Sequence, residues 1–257
     1  MEYSKVFFNI NVQGDIVRKY IKYIVFGMIA TILTIWCILK IREVSEETIG
    51  YMPITNKTIV LDAGHGGIDS GASNNDKTIF EKNINLSITL KLKELIESSG
   101  GLVILTRDDD SSLYEESGNK TIRQKYNENL RNRKKIIDES DADMFISIHL
   151  NSFQQSKYYG AQTFYPEGQE DGKILASYVQ NELKRVVDES NNRVIKPRGD
   201  LYLLKNCKMP SILIECGFLS NEKEAKLLND EKYQEKIAWA IYAGIQKYFG
   251  ENGYKNE

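Results

Sequence analysis

Cysteine and histidine are scarce in this sequence, and neither sign of charge is in large excess. Its three cysteines cannot form a fully paired disulfide framework. We therefore expect free thiols at Cys37, Cys207 and Cys216, and a Cys207–Cys216 bridge is the open alternative in an oxidising compartment. The formal net charge is only −2, and no basic patch or stripe of the kind that binds nucleic acid stands out. The sequence thus argues against nucleic acid as a partner.

Only two histidines occur, and both follow apolar, strand-like runs. His65 lies in Ile-Val-Leu-Asp-Ala-Gly-His-Gly-Gly, residues 59–67, and His149 ends Met-Phe-Ile-Ser-Ile-His, residues 144–149. The glycines after His65 allow a tight turn, and Gly64 allows another group to approach closely. A single histidine in such a position is more often structural than functional. Two of them at strand ends suggest a shared site.

An uncharged apolar segment of seventeen residues runs from Tyr23 to Leu39. This length is at the short end of what spans a bilayer. Residues 1–43 carry six Lys or Arg against three acids, and the basic residues just before the segment favour a cytoplasmic N-terminus. A cleaved signal peptide is the competing interpretation, but no small-residue cleavage site follows Leu39. We predict a short cytoplasmic N-terminus over residues 1–22, an uncleaved transmembrane helix over 23–39 and a tether over 40–57.

Strand and helix signals alternate from residue 58 towards the end of the chain. Apolar residues at helical spacing separate short apolar runs, as in α/β folds. The strand-like runs are residues 58–62, 102–106, 144–149, 160–165, 201–204 and 211–215. The helical segments cover residues 84–96, 122–139, 174–183 and 233–249. We predict one α/β domain over residues 58–250, a single mostly parallel twisted sheet of about six strands with helices on both faces, and a tail over 251–257.

Three of these runs end in groups that can bind a metal or move a proton. Asp62 and His65 follow the first run, His149 ends the third, and Glu215 ends the last. Open α/β sheets bind their ligands outside the carboxyl ends of the strands. Glu215 closes an apolar strand, where a carboxylate is costly to bury unless it coordinates a metal, pairs or titrates in catalysis. This edge of the sheet is therefore the expected site.

Five short motifs, in this order, resemble the zinc-dependent N-acetylmuramoyl-L-alanine amidases of the Amidase_3 family. They are Leu-Asp-Ala-Gly-His-Gly-Gly at 61–67, Glu-Lys-Asn-Ile-Asn-Leu at 81–86, Leu-Thr-Arg-Asp at 105–108, Ser-Ile-His-Leu-Asn-Ser at 147–152 and Pro-Ser-Ile-Leu-Ile-Glu-Cys-Gly-Phe-Leu-Ser-Asn at 210–221. The resemblance implies that His65, Glu81 and His149 bind one zinc ion per chain and that Glu215 is the catalytic carboxylate. Three protein ligands would leave a fourth position for water.

Other residues of these motifs leave alternatives open. Asp62 either accepts a hydrogen bond that orients His65 or caps the turn. Asn151 either binds substrate or fixes a loop. Arg107 and Asp108 are expected to pair locally rather than to catalyse.

The resemblance implies hydrolysis of the amide bond between N-acetylmuramic acid and L-alanine in peptidoglycan. The small catalytic domain behind an N-terminal anchor, without wall-binding repeats, is most similar to the CwlD-type, germination-specific amidases of spore formers. That similarity implies a role in sporulation, in which stem peptides are removed on the way to the muramic-δ-lactam of the cortex. The catalytic domain would then be extracytoplasmic and would face the forespore intermembrane space.

Three alternatives to a self-sufficient amidase stay open. Related α/β zinc folds include exopeptidases, which would release amino acids or dipeptides from wall peptides. A wall-binding module would keep the fold without turnover, but it would have no need of all four proposed site residues. The chain could also be a weakly active amidase that needs an extracytoplasmic sporulation partner protein to hold its metal site.

Overall fold

The computed structural model describes residue 18 and residues 20–40, 52–115 and 118–253. The chain divides into two compact units, Met1–Tyr51 and Met52–Glu257. The first unit contains helix α1, Tyr20–Lys40, which is long and apolar enough to cross a membrane, a criterion that an N-terminal signal sequence also meets. The predicted anchor lies within α1. Most of the predicted tether and both ends of the chain fall outside the described residues.

The second unit is built on one six-stranded sheet. Its strands are β1 Thr58–Ala63, β2 Leu102–Leu105, β3 Met144–Asn151, β4 Gln162–Pro166, β5 Lys196–Arg198 and β6 Ser211–Phe218. They lie in the order β2-β1-β3-β6-β4-β5. All neighbours are parallel except β4 and β6, which are antiparallel. The predicted α/β fold with a mostly parallel sheet is confirmed.

Among the described residues of this unit, five helices accompany the sheet: α2 Glu81–Ser98, α3 Ile122–Glu139, α4 Glu170–Val186, α5 Glu222–Leu228 and α6 Glu231–Gly253. Four of them contain the predicted helical segments. The short helix α5 was not predicted. Its N-cap is Asn221, whose side chain accepts hydrogen bonds from the backbone N–H groups of Lys223 and Glu224.

One predicted strand, residues 201–204, is wrong. These residues form turns, in which the N–H groups of Leu204 and Lys205 both donate to the carbonyl of Leu201 at 3.1 Å. The segment is apolar because Leu203 and Leu204 bury their side chains in a core cluster, although its backbone joins no sheet. The strand that completes the six-stranded sheet is instead β5, a short segment with little apolar character.

The two faces of the sheet are covered differently, because side chains alternate between faces along each strand. Ile59 and Leu61 of β1 pack with α2, α4 and α6 in the larger apolar core, and we call this side the three-helix face. Val60 packs with Ile137 of α3 and with Leu203 in a smaller core, and we call this side the α3 face.

The central strands β1, β3 and β6 are parallel neighbours, so their carboxyl ends lie side by side. His149 of β3 pairs in register with Glu215 of β6. The turn that carries His65 follows β1 directly. The sheet therefore brings the predicted residues to one edge.

All three cysteines are free thiols, Cys37 exposed, Cys207 half-buried and Cys216 buried in β6. The alternative disulfide between Cys207 and Cys216 is not formed.

Candidate metal centre

Two imidazoles and one carboxylate converge at this edge. His65, Glu81 and His149 each offer a ligand atom, and these atoms all lie within 4.8 Å of one another. The Nε2 atom of His65 is 3.2 Å from Oε1 of Glu81, and Nδ1 of His149 is 3.1 Å from the same oxygen. Two histidines and a glutamate are a donor set that catalytic zinc uses, with a fourth position left for water. The residues present therefore fit the metal that the sequence predicts.

Glu81 is held in place as an anion. It is the first residue of α2 and is buried. Its Oε2 accepts a hydrogen bond from the N–H of Ala72 at 2.8 Å, and its Oε1 accepts one from the N–H of Leu150 at 2.9 Å. Burial disfavours the ionised form, but the contacts with His149 and His65 outweigh it and hold the pKa of Glu81 well below its usual range. An ionised carboxylate in this position suits a divalent cation.

His65 stands in a conformation that most residues avoid. Its φ of 64° lies in the left-handed region, which side chains with a Cβ adopt rarely. Its Nδ1 is 2.8 Å from Oδ2 of Asp69, and this contact turns Nε2 towards Glu81. Burial would lower the pKa of His65, but the hydrogen bonds with Asp69 and Glu81 raise it to about 10. A metal ion would bind the neutral imidazole and would therefore compete with this proton.

Asp62 does not orient His65 through the hydrogen bonds that the structure describes. Its carboxylate is fully buried and accepts hydrogen bonds from Arg133 at 2.7 Å, from Thr106 at 2.7 Å and from Ser147 at 2.6 Å. Burial would raise its pKa, but these partners, Arg133 above all, hold the pKa of Asp62 at about 2. Asp62 thus anchors Arg133 beneath the site. The acceptor that orients His65 is Asp69, which sequence reasoning missed.

Arg133 links α3 to the turn that carries His65. The side chain is almost fully buried. Besides its bond to Asp62, its Nη1 donates to the carbonyl of Ala63 at 2.7 Å, and its Nη2 donates to the carbonyl of His65. This buried guanidinium therefore fixes both the end of β1 and the backbone of His65.

Arg107 binds the same turn from the other side. It donates to the carbonyls of Ala63 at 2.8 Å, Gly64 at 3.0 Å and Lys82 at 2.8 Å. The expected local pair with Asp108 is not among the described contacts, and Arg107 instead joins the β1 turn to α2. Its partners are thus backbone carbonyls rather than the expected carboxylate.

Glycine is required at two positions around the cluster. A Cβ atom on Gly64 would lie 2.3 Å from Cε1 of His149. The close approach predicted at Gly64 is therefore that of the second histidine. A Cβ on Gly71, where φ is +65°, would lie 2.6 Å from Oε2 of Glu81 and 2.7 Å from Cδ2 of His65. Both glycines leave room that the side chains of His149, Glu81 and His65 occupy.

Glu215 lies beside the three donors with part of its carboxylate unused. Its Oε2 is buried and has no hydrogen-bond partner among the described residues. Burial raises the pKa of Glu215 to about 7. An unpaired carboxylate with a pKa near neutrality can both take up and release a proton, as expected for a catalytic base.

Asn151, at the end of β3, lies near the same edge. Its Oδ1 accepts a hydrogen bond from the N–H of Ser152 at 2.8 Å, and its carbonyl accepts one from the N–H of Leu219 at 2.9 Å. These contacts correspond to the loop-fixing alternative. A contact of Asn151 with substrate stays a prediction.

A small cleft opens on the α3 side of the cluster, with a volume of about 180 Å³. Both histidines line it, together with Tyr126 and Leu130 of α3 and with Leu203. The two histidines thus share a cleft with apolar side chains of α3.

Residues 59–247 match the family model described as N-acetylmuramoyl-L-alanine amidase, Amidase_3. Among curated relatives, the germination-specific N-acetylmuramoyl-L-alanine amidase of Bacillus subtilis is 41% identical over 202 residues, which cover 79% of this chain and 84% of the relative. The Bacillus subtilis amidase LytC is 31% identical over 199 residues, which cover 77% of this chain and 36% of LytC.

Solved structures give the same result. The CwlD amidase from Clostridioides difficile, determined in complex with the GerS lipoprotein, is 73% identical with a TM-score of 0.76, and the match covers 76% of this chain and 100% of that one. The catalytic domain of the amidase CwlV from Bacillus (Paenibacillus) polymyxa is 30% identical with a TM-score of 0.62, and the match covers 76% of this chain and 98% of that one.

Proposed function

The chain belongs to the N-acetylmuramoyl-L-alanine amidase family, Amidase_3, and we propose that it cleaves the bond between N-acetylmuramic acid and L-alanine with a zinc ion bound by His65, Glu81 and His149. It is an amidase by family and by structural similarity. The observation that carries the metal-dependent mechanism is the convergence of these three donors beside the unpaired carboxylate of Glu215.

In this mechanism Glu215 moves the protons. Bound zinc supplies polarisation of the amide carbonyl and a lowered pKa for water. The Oε2 atom of Glu215 takes a proton from the attacking water while the oxygen of that water adds to the lactyl carbonyl carbon. Glu215 then returns that proton to the nitrogen of L-alanine as the C–N bond breaks. One water is consumed, and a free lactyl carboxyl group and a free peptide amine are formed.

Substitution of Glu215 tests this assignment. Glu215→Gln keeps the shape of the side chain but cannot accept the proton, so we expect release of stem peptides from purified peptidoglycan to fall by about 10²–10⁴-fold. Glu182→Gln is the matched control, because Glu182 is a buried carboxylate of α4 that pairs with Arg185 and Lys247 and belongs to no metal cluster described. Undiminished hydrolysis by the Glu215 variant would contradict the role.

Mass spectrometry of the products separates the amidase from the zinc exopeptidase. An amidase leaves glycan strands without peptide and releases peptides with a free N-terminal alanine. An exopeptidase would release single amino acids or dipeptides and would leave muramyl peptides in place.

We further propose that a lipoprotein partner stabilises the metal centre. The support is that the CwlD amidase, 73% identical to this chain, was solved in complex with the GerS lipoprotein. Zinc stoichiometry of the purified chain should rise towards one when such a lipoprotein is added. A full zinc complement and unchanged turnover without it would contradict the proposal.

The biological role is proposed from the germination-specific relative in Bacillus subtilis. We propose that α1 is an uncleaved membrane anchor and that the catalytic domain acts outside the cytoplasm on spore peptidoglycan, in the forespore intermembrane space. Spores that lack the protein should then have cortex without muramic-δ-lactam, and a cytoplasmic location of the C-terminus would contradict the topology.

A further inference from the structure

Helix α3 carries its apolar and polar residues on unexpected sides. Its buried residues are Asn129, Arg133 and Ile137, of which the first two are polar. Within residues 122–130 the only apolar side chains are Ile122, Tyr126 and Leu130, and they are 65%, 37% and 38% exposed. A surface helix normally buries such residues and exposes the polar ones. This inverted pattern requires an explanation.

These three residues form one line on the helix surface. They are spaced four apart, so each lies beside the next on neighbouring turns. We call Ile122, Tyr126 and Leu130 the α3 stripe. Polar and charged side chains occupy the positions between them. An exposed row of large apolar side chains is a feature that binding surfaces share.

The inner end of the α3 stripe reaches the metal cluster. Tyr126 and Leu130 line the same cleft as His65 and His149, and Leu203 faces it as well. The cleft is small, with a volume of about 180 Å³. A short segment of substrate bound at the two histidines would therefore contact Tyr126 and Leu130.

From this arrangement we propose that Tyr126 and Leu130 bind the lactyl-L-alanyl segment of the substrate and select its methyl groups. The proposal rests on the amidase function proposed above. Both the lactyl group and L-alanine carry a methyl group next to the scissile amide. An apolar wall beside the donors removes these methyl groups from water, which favours binding. The outermost stripe residue, Ile122, would contact substrate further from the scissile bond.

Binding to an inactive chain tests the proposal without turnover. We suggest the full chain in detergent with Glu215→Gln, and titration calorimetry with a muramyl-L-alanyl peptide and its muramyl-glycyl counterpart. Addition of Tyr126→Ala and Leu130→Ala together should weaken binding of the alanyl ligand by about ten-fold and abolish the preference for alanyl over glycyl. Tyr126→Phe with Leu130→Met, which keep an apolar wall, should retain both.

Leu102→Ala is the control, because Leu102 is a 60% exposed leucine at the start of β2, at the edge of the sheet opposite the cluster. Equal dissociation constants for the Tyr126/Leu130 alanine variant and its parent would overturn the proposal. A second result would also overturn it: the Tyr126/Leu130 alanine variant keeps its preference for the alanyl ligand, but a lipoprotein partner no longer changes its zinc stoichiometry. The α3 stripe would then be a protein interface. Failure of the amidase function itself would appear separately, as absence of hydrolysis by the zinc-loaded chain with Glu215 intact.

Discussion

The two faces of the sheet differ in what covers them and in how much polar structure they bury. On the three-helix face, α2, α4 and α6 bury a continuous set of aliphatic side chains against the strands, among them Ile88, Leu92, Val179, Leu183 and Ile241. On the α3 face, a single helix and the turns around Leu203 cover the sheet, and the smaller apolar core adjoins buried polar groups. The three-helix face supplies most of the apolar burial, whereas the site combines residues at the carboxyl ends of the strands with Glu81 from the start of α2 and borders the α3 face.

The difference follows from what each face must hold. Aliphatic packing resists unfolding but specifies no direction for a metal ligand, whereas hydrogen bonds to named atoms do. The β1 turn must keep His65 at a positive φ, which costs about 1 kcal/mol or more. Arg133 and Arg107 stabilise that turn through its carbonyls. The α3 face therefore has less apolar burial and more buried hydrogen bonds, and these hydrogen bonds fix the position of the β1 turn.

The largest expected effect follows from removal of the buried cation. Arg133→Met leaves the fully buried carboxylate of Asp62 without its charge partner, so we expect a loss of about 3–5 kcal/mol in the free energy of unfolding. Because Arg133 also binds the His65 carbonyl, zinc affinity should fall with it. Urea denaturation and zinc titration measure the two effects.

The double variant Asp62→Asn with Arg133→Met serves as the control for that experiment. It removes both charges, so its loss of stability should be smaller than the sum of the two single losses. Additive losses would mean that the two side chains do not act as a pair.

A substitution in the core of the three-helix face should lower stability without changing zinc binding or catalysis. Leu183→Ala removes a fully buried side chain of α4, a helix with no site residue, and should cost about 2–5 kcal/mol. At temperatures where the variant stays folded, zinc stoichiometry and kcat/KM should equal those of the parent. If peptide release per folded molecule fell together with stability, the separation between the faces would be wrong.

The sequence predicted the three-helix face better than the α3 face. Apolar spacing in residues 84–96, 174–183 and 233–249 indicated α2, α4 and α6, because their buried sides are aliphatic. It also indicated α3, but not that this helix buries an arginine. Arg133 stands in the charged run Arg-Asn-Arg-Lys-Lys, residues 131–135, and only the partner carboxylate of Asp62 distinguishes it from a solvent-exposed cation.

Two elements of the sheet region escaped prediction for physical reasons. β5 contains Pro197 between two cations and has no alternation of apolar residues, so it lacks the usual signal of a strand. Proline is tolerated there because β5 lies at the edge of the sheet. Residues 201–204 gave an apolar run, and length and composition alone do not distinguish a buried turn from a strand. In contrast, α5 left a usable signal, since Asn221 is followed three residues later by Glu224 at the start of the helix.

His65, His149 and Glu215 could be proposed from the residues themselves because each follows or ends a predicted strand. The parallel order of β1, β3 and β6 then brings these three together. Glu81, at the start of α2, was proposed only from the resemblance to the family. Asp69 lies in an irregular loop after the glycine turn, where no periodicity applies. Its position four residues after His65 was a weak signal, and only the fold brings its carboxylate to Nδ1.

Asp69 allows the smallest expected effect, a test of how the loop after β1 orients His65, a proposed metal ligand. Asp69→Asn keeps a hydrogen-bond acceptor near Nδ1 of His65 but removes the charge, so Nε2 becomes a weaker and less firmly oriented ligand. We expect the zinc dissociation constant to rise by about 10–100-fold, with little change in unfolding, because Asp69 is only partly buried. Competition with a chromogenic chelator measures the affinity. Asp200→Asn is the matched control, since Asp200 is an exposed acid paired with Arg198 and should leave the dissociation constant unchanged. Equal affinities in the two variants would mean that the glycine turn and the arginines orient His65 without help from Asp69.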